Sequence, residues 1–157
     1  MSYIAPVERV LEPTSAAYLA GLIDGEGTIA LWRGHQSKPR VTRTYRPVIE
    51  ISNTHLGVLE WVKLLIGGGW LKQTNPKRSR EKGHKPLFRY RFRTTDLHWV
   101  IPQVRPYLKI KGAQADLLVR YFESVTSTRP EVERDVLESM WARAKELNHR
   151  GLTPVAS

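Results

Sequence analysis

Asp24 and Glu26 flank Gly25 at the end of the apolar run Leu19-Ala20-Gly21-Leu22-Ile23. The spacing predicts a helix from Ala16 to Asp24, started by Pro13-Thr14-Ser15 and ended by Gly25 and Gly27. Both acids then lie at a helix C-terminus, where the macrodipole is negative and carboxylates are not stabilised. A cation is needed to offset them, and a hard divalent ion takes carboxylate and carbonyl oxygens. Small residues at Ala17, Gly21 and Gly25 leave one face of the same helix almost bare, open to close approach by a partner helix. The chain has no cysteine, which removes thiol catalysis, disulfides and cysteine zinc modules. His35, His55, His84, His98 and His149 lack metal-ligand spacing, so histidine-based nuclease chemistry is not expected.

The elements that must position these acids follow from periodicity. Thr28–Trp32 and Arg40–Asn53 alternate as strands, with Pro47 pointing to an edge or irregular position in the second. Leu56–Ile66 has helical spacing and stops at Gly67-Gly68-Gly69. Trp70–Thr74 and Leu87–Arg93 read as strands joined by a long basic loop, 75–86. Thr95–Val104, bent at Pro102, then Gly112–Val125 and Pro130–Leu147 read as helices. The order is α-β-β-α-β-β-α with extra helices, an α+β class, and 157 residues suit one domain.

Charge indicates the partner. The chain carries 25 Lys+Arg against 15 Asp+Glu, a net +10, with a pI near 10.1. The excess is concentrated between Trp32 and Arg93, in strand-like sequence, which builds one positive face for a polyanion. A membrane partner is not expected: no apolar run reaches the roughly 20 residues of a span, and the positive residues do not form an amphipathic helix. The N-terminus lacks a secretion signal, so an intracellular location is expected.

The stretch Leu19-Ala20-Gly21-Leu22-Ile23-Asp24-Gly25-Glu26-Gly27 resembles the signature of the LAGLIDADG homing endonucleases. Taken alone it also reads as an apolar helix capped by glycine with two surface acids. The element order, the basic strand-rich middle and the segment Pro106-Tyr107-Leu108-Lys109-Ile110-Lys111-Gly112-Ala113-Gln114-Ala115 extend the resemblance over about residues 14–125. The resemblance implies a single homing-endonuclease domain over 1–157, its core about 14–125, with a C-terminal helical extension at about 126–150. It also implies a four-stranded antiparallel DNA-binding saddle with helices on the other face.

By the same resemblance, Glu26 is the metal-binding carboxylate, joined by the Gly25 carbonyl. Mg²⁺ is the expected ion, and Mn²⁺ or Ca²⁺ can take the same sites. Lys111 matches the family's active-site lysine, with Lys109 as the fallback or a DNA contact. Asn53 falls where single-motif relatives carry a solvent-orienting polar residue. Gly57 stands where those relatives offer a basic side chain. The expected DNA-facing residues are Thr28, Ala30, Trp32 and Arg33; Lys38, Arg40, Arg43, Thr44, Arg46, Val48, Glu50 and Ser52; Lys72 and Thr74; and Arg89, Arg91 and Arg93, which alternate with Phe88, Tyr90 and Phe92. Glu50 is read as an acceptor from cytosine. Lys77, Arg78, Arg80, Lys82 and Lys85 in the long loop are read as phosphate contacts.

The activity implied is site-specific double-strand DNA hydrolysis at a long, nearly palindromic target. The alternative is a non-cleaving RNA maturase or DNA-binding regulator on the same fold. One motif per chain implies a homodimer, with Ala17, Ala20, Gly21 and Asp24 at its interface. The location implied is wherever the host gene's DNA resides, a prokaryotic cytoplasm or an organelle.

Overall fold

The structure, a computed structural model, describes residues 9–34, 44–74, 76–125 and 130–149. Helix α1 spans Pro13–Glu26, with proline in its first turn, where the missing N–H has no helical partner to lose. Its buried residues Ala16, Leu19, Ala20 and Ile23 form one stripe at helical spacing. Gly27 ends the helix by donating its N–H to the Ile23 carbonyl and begins strand β1, Gly27–Arg33, with no loop between. A Cβ at Gly27 would lie 2.7 Å from the Ile23 carbonyl oxygen, so only glycine fits this junction.

Strand β2 is Tyr45–Asn53 and helix α2 is Leu56–Ile66, ended by Gly67 in the left-handed region at φ +82°. Strands β3 (Trp70–Thr74) and β4 (Leu87–Arg91) follow. Between them the expected loop contains a short helix α3, Pro76–Lys82. Helix α4 (Thr94–Val104) contains Pro102 and gives way to a 3-10 turn at Arg105–Tyr107. Helices α5 (Gly112–Val125) and α6 (Pro130–Asn148) complete the order.

The sheet order is β1-β2-β4-β3, and every pair is antiparallel. Pro47 lies in the part of β2 that pairs with β1 alone, since β4 joins only at Glu50–Asn53, so its missing N–H breaks no inner ladder. Ile29, Leu31, Ile49, Ile51 and Tyr90 on one sheet face join Leu19, Ile23, Leu59, Val62, Leu97, Val100 and Leu118 of the helices in one buried core. Each such aliphatic side chain contributes about 1.5–3 kcal/mol by leaving water. The opposite face carries Arg46, Glu50, Lys72, Arg89 and Arg91 together with Val48, Trp32 and Trp70. This is a two-layer α+β architecture: a four-stranded antiparallel sheet with helices on one side.

Candidate active site and nucleic-acid interface

The two acids of the motif have different surroundings. Asp24 turns inward along the chain: its Oδ2 accepts from the Lys109 N–H at 2.7 Å, and its Oδ1 from those of Ile110 at 3.2 Å and Lys111 at 2.9 Å. Three successive backbone donors thus wrap one carboxylate. Burial pushes the Asp24 carboxyl up, but these donors and the Lys111 charge outweigh it and hold the carboxyl below its ordinary range. Lys111 in turn donates Nζ to the carbonyls of Ile23, at 3.0 Å, and Asp24. An ammonium therefore sits on the negative end of α1 and offsets the charge of Asp24 there. The segment is braced behind by a bidentate pair, Arg105 Nε and Nη2 donating to Asp116 at 2.7 and 2.9 Å. That pairing lowers the Asp116 pKa.

Gly25 and Glu26 are exposed just beyond this lysine-capped end. Among the described residues no group of three or more His, Asp or Glu could hold a metal. The Glu26 carboxylate and the Gly25 carbonyl are hard oxygen donors open to solvent. They fit part of a magnesium shell whose other positions fall to water, phosphate or a second chain. Asn53 ends β2 at the same edge of the sheet, since Gly27 pairs with Ile51 across the β1–β2 ladder. Its Oδ1 accepts from the His55 N–H at 2.8 Å, and His55 Nδ1 accepts from Val58 N–H at 3.1 Å as the N-cap of α2. The Asn53 oxygen is thus engaged in its own turn, a constraint its sequence position did not reveal. The His55 ring stands beside Gly57, its Cε1 3.1 Å from where a Cβ would be. His55 was not singled out from sequence. Residue type gave no signal, since histidine is not among the preferred N-cap residues.

Two expected interface residues on α1 are placed otherwise. Ala20 is fully buried in the chain's own core, and the Asp24 carboxylate is engaged within the chain. Ala17 and Gly21 do face outward, and a Cβ at Gly21 or Gly25 would meet nothing within 4 Å. Beside this bare face Tyr18 is 56% exposed and meets Trp61 edge-on at 5.3 Å. The two rings border a groove of about 580 Å³ that runs to Asn53 and His55.

The register places the polar sheet face. Thr28, Glu50, Arg91 and Trp70 form one row across the four strands, and Ser52, Arg89 and Lys72 form the next. Ala30 pairs with Val48, Trp32 with Arg46, and Thr74 with Leu87 on the same face. Arg89 and Arg91 project from this face while Phe88 and Tyr90 pack inward, as alternation predicted. Three DNA-contact expectations change, while Thr44 keeps an exposed side chain. Arg33 has core-side parity: it pairs with Glu138 of α6 and lies over the Trp141 ring at 3.5 Å. Arg93 falls past the end of β4, where its Nε donates to the buried Asp96 at 2.6 Å. Thr44 precedes β2 and its carbonyl accepts from Gly34 at 2.7 Å. Glu50 spends its carboxylate on Arg89 and Arg91 instead of standing ready for a base. Lys38, Arg40 and Arg43 lie outside the described residues.

Lys77, Arg78, Arg80 and Lys82 ride on α3, and Lys109 is exposed beside the Asp24 junction. Arg78, Lys82 and Lys85 line a recess of about 520 Å³ with Thr54 and Thr74. Thr54 follows β2 and Thr74 ends β3, so the recess opens at the same end of the sheet as Asn53.

No protein-family model and no curated protein matches the sequence. Solved structures do match the architecture. The homing endonuclease I-CvuI, in complex with its target in the presence of Ca, superposes with a TM-score of 0.74 at 17% identity, over 91% of this chain and 87% of that one. The archaeal intron-encoded homing endonuclease I-Vdi141I, complexed with DNA, gives 0.72 at 16% identity, over 90% and 88%. The LAGLIDADG homing endonuclease I-SmaMI, bound to cleaved DNA, gives 0.68 at 13% identity, over 85% of this chain but 45% of that one. From the helix that carries Asp24 and Glu26 to the antiparallel sheet beneath Arg89 and Arg91, this chain has the LAGLIDADG homing-endonuclease fold.

Proposed function

We propose that the protein is a site-specific endonuclease that hydrolyses both strands of DNA as a homodimer, at a long, nearly palindromic target and with a divalent metal. The observation that carries this reading is the α1 terminus. Asp24 gathers the Lys109–Lys111 backbone and Lys111 caps the Ile23 and Asp24 carbonyls, so the exposed Glu26 ends the helix two residues past a lysine-capped carbonyl, where β1 of the cationic sheet begins. A protein that only binds DNA has no need to expose an acid where phosphate would lie.

Glu26 and the Gly25 carbonyl would hold magnesium, and manganese or calcium would suit the same oxygens. When bound, such an ion supplies Lewis-acid charge for phosphodiester hydrolysis. The residues of the chain do the rest. Lys111 brings positive charge to the reacting edge, Arg89, Arg91, Arg46 and Lys72 engage the groove, and Arg78, Lys82 and Lys85 hold phosphates. Asn53 keeps the β2–α2 turn in place at that edge.

Cutting two strands takes two such sites, and this chain carries one motif. Ala17, Gly21 and Gly25, with Tyr18 and Trp61 alongside, give a self-complementary surface for a two-fold dimer that brings two Glu26 residues together. The match to about half of I-SmaMI supports one chain as one half of a working unit. The place of action on this reading is the compartment holding the host gene's DNA.

The test is incubation of the purified protein with a randomised duplex library, with and without Mg²⁺, followed by sequencing of cut ends. Magnesium-dependent cuts at one nearly palindromic sequence support the reading. Sequence-specific binding with no cut under any divalent ion makes the protein a binder.

A further inference from the structure

Glu50 is an acid on the most cationic face of the molecule. Its side chain is 11% exposed, between two strands, and it holds two arginines from the neighbouring β4. Oε1 accepts from Arg91 Nε at 3.0 Å and lies 2.7 Å from Arg91 Nη2, while Oε2 lies 3.1 Å from Arg89 Nε. Arg91 is held from another side as well, its guanidinium 4.6 Å from the centroid of the Trp32 ring, with Arg46 at 5.5 Å from the same centroid. The two β4 arginines line a concavity of about 330 Å³ with Arg46, Trp70 and Lys72 on the polar sheet face.

A guanidinium has two edges that can make paired hydrogen bonds, the Nε side and the Nη1/Nη2 end. Glu50 hydrogen-bonds the side edge of Arg91 and is an ion-pair partner 3.1 Å from Arg89 Nε, which is buried and has no hydrogen-bond partner among the described residues. The Nη1 side of both guanidiniums is not taken by Glu50. Arg89 and Arg91 are two residues apart on one strand, so their Cα atoms are spaced by about 6.6 Å, close to two base steps of about 3.4 Å. Guanidinium ends match the O6 and N7 acceptors of guanine. Long arginine side chains otherwise lose rotamer freedom on binding, and an arginine fixed beforehand loses less. The same carboxylate removes one positive charge from the face, which weakens attraction to DNA of any sequence.

We propose that Glu50 is a positioning residue for sequence specificity: it contacts no base, holds Arg89 and Arg91 in guanine-reading poses, and suppresses non-specific binding. The proposal rests on the DNA-binding part of the functional reading above and deepens it.

The test is binding selection on a randomised duplex library in Ca²⁺ at fixed salt, for wild type, Glu50→Gln, Arg89→Ala, Arg91→Ala and the Glu50→Gln/Arg91→Ala double variant. The expected result is a fall on the order of tenfold in guanine preference for Glu50→Gln, at the same positions that Arg89→Ala and Arg91→Ala relax. Affinity for unrelated DNA rises in the same variant, and the double variant loses little beyond Arg91→Ala at the Arg91 position. If Glu50→Gln fails to fold, Glu50→Asp carries the test, since it keeps the charge but draws the oxygens back by one methylene. It should relax the same positions without raising affinity for unrelated DNA. Loss of a cytosine preference at one position, with the arginine positions unchanged, would make Glu50 a base contact and overturn the proposal. An equal loss of affinity for all sequences would reduce it to a structural role and also overturn it. Wild-type protein that binds with no base preference would overturn the functional reading itself, and the proposal with it.

Discussion

Replacing Asp24 by asparagine tests the junction on which the site is built. Asparagine offers one acceptor oxygen where the carboxylate offers two, so at least one of the three N–H groups of Lys109, Ile110 and Lys111 meets an amide donor instead. A hydrogen bond to a charged group contributes about 1.5–3 kcal/mol and a neutral one about 0.5–1.5. One bond lost and two weakened would give about 3–5 kcal/mol in a dry site. Water reaches this junction, which reduces the expected loss to about 2–3 kcal/mol. In a domain of this size that is a fall of roughly 4–12 °C in Tm. The sign with pH is definite. Folding lowers the Asp24 pKa, so its contribution is complete above the ordinary carboxylate range and is lost as pH falls through the depressed folded value. Urea unfolding of both proteins should therefore show the full gap at pH 7 and a shrinking one below about pH 4. Equal stability at pH 7, or a gap that persists unchanged to pH 2, would refute the role given to this carboxylate.

Gly21→Leu should leave the fold intact, because an added Cβ meets nothing within 4 Å. It should split the dimer and abolish double-strand cleavage; sedimentation as a wild-type-like dimer would contradict the interface. Lys111→Met should lower the cleavage rate by on the order of a hundredfold with a smaller change in DNA affinity. Equal losses in both would make Lys111 a phosphate anchor. Affinity for DNA should fall about a thousandfold or more between 50 and 200 mM salt if six or more phosphates are neutralised per dimer. A nearly flat dependence would remove the cationic-face account.

Much of this arrangement was legible because it is periodic. The apolar stripe of α1, the alternation of Ile29 and Leu31 with Thr28 and Trp32, and that of Phe88 and Tyr90 with Arg89 and Arg91 need only local rules. Local rules also fail in identifiable places. Helix α3 has no buried residue, so Pro76–Lys82 carries no apolar period to detect. Ala20 looks like part of the small-residue face, but its spacing from Ala16 and Ile23 turns it into the core. Arg33 turns to Glu138, 105 residues away, and Arg93 turns to Asp96 because its strand stops two residues earlier at Arg91. The charge that answers Asp24 at the end of α1 comes from Lys111, 88 residues beyond the Ile23 carbonyl it caps. Such pairings are set by tertiary packing and leave no trace in spacing.

The most direct measurement is cleavage of the selected duplex in Mg²⁺ by wild type and by Glu26→Gln, with affinity for the same duplex measured in parallel. The amide keeps the shape of the side chain and removes the charge of the carboxylate that would hold the metal. Wild-type cutting of both strands, with Glu26→Gln binding the same site as tightly and leaving it whole, is the predicted result. A Glu26→Gln protein that cuts at the wild-type rate would contradict the account.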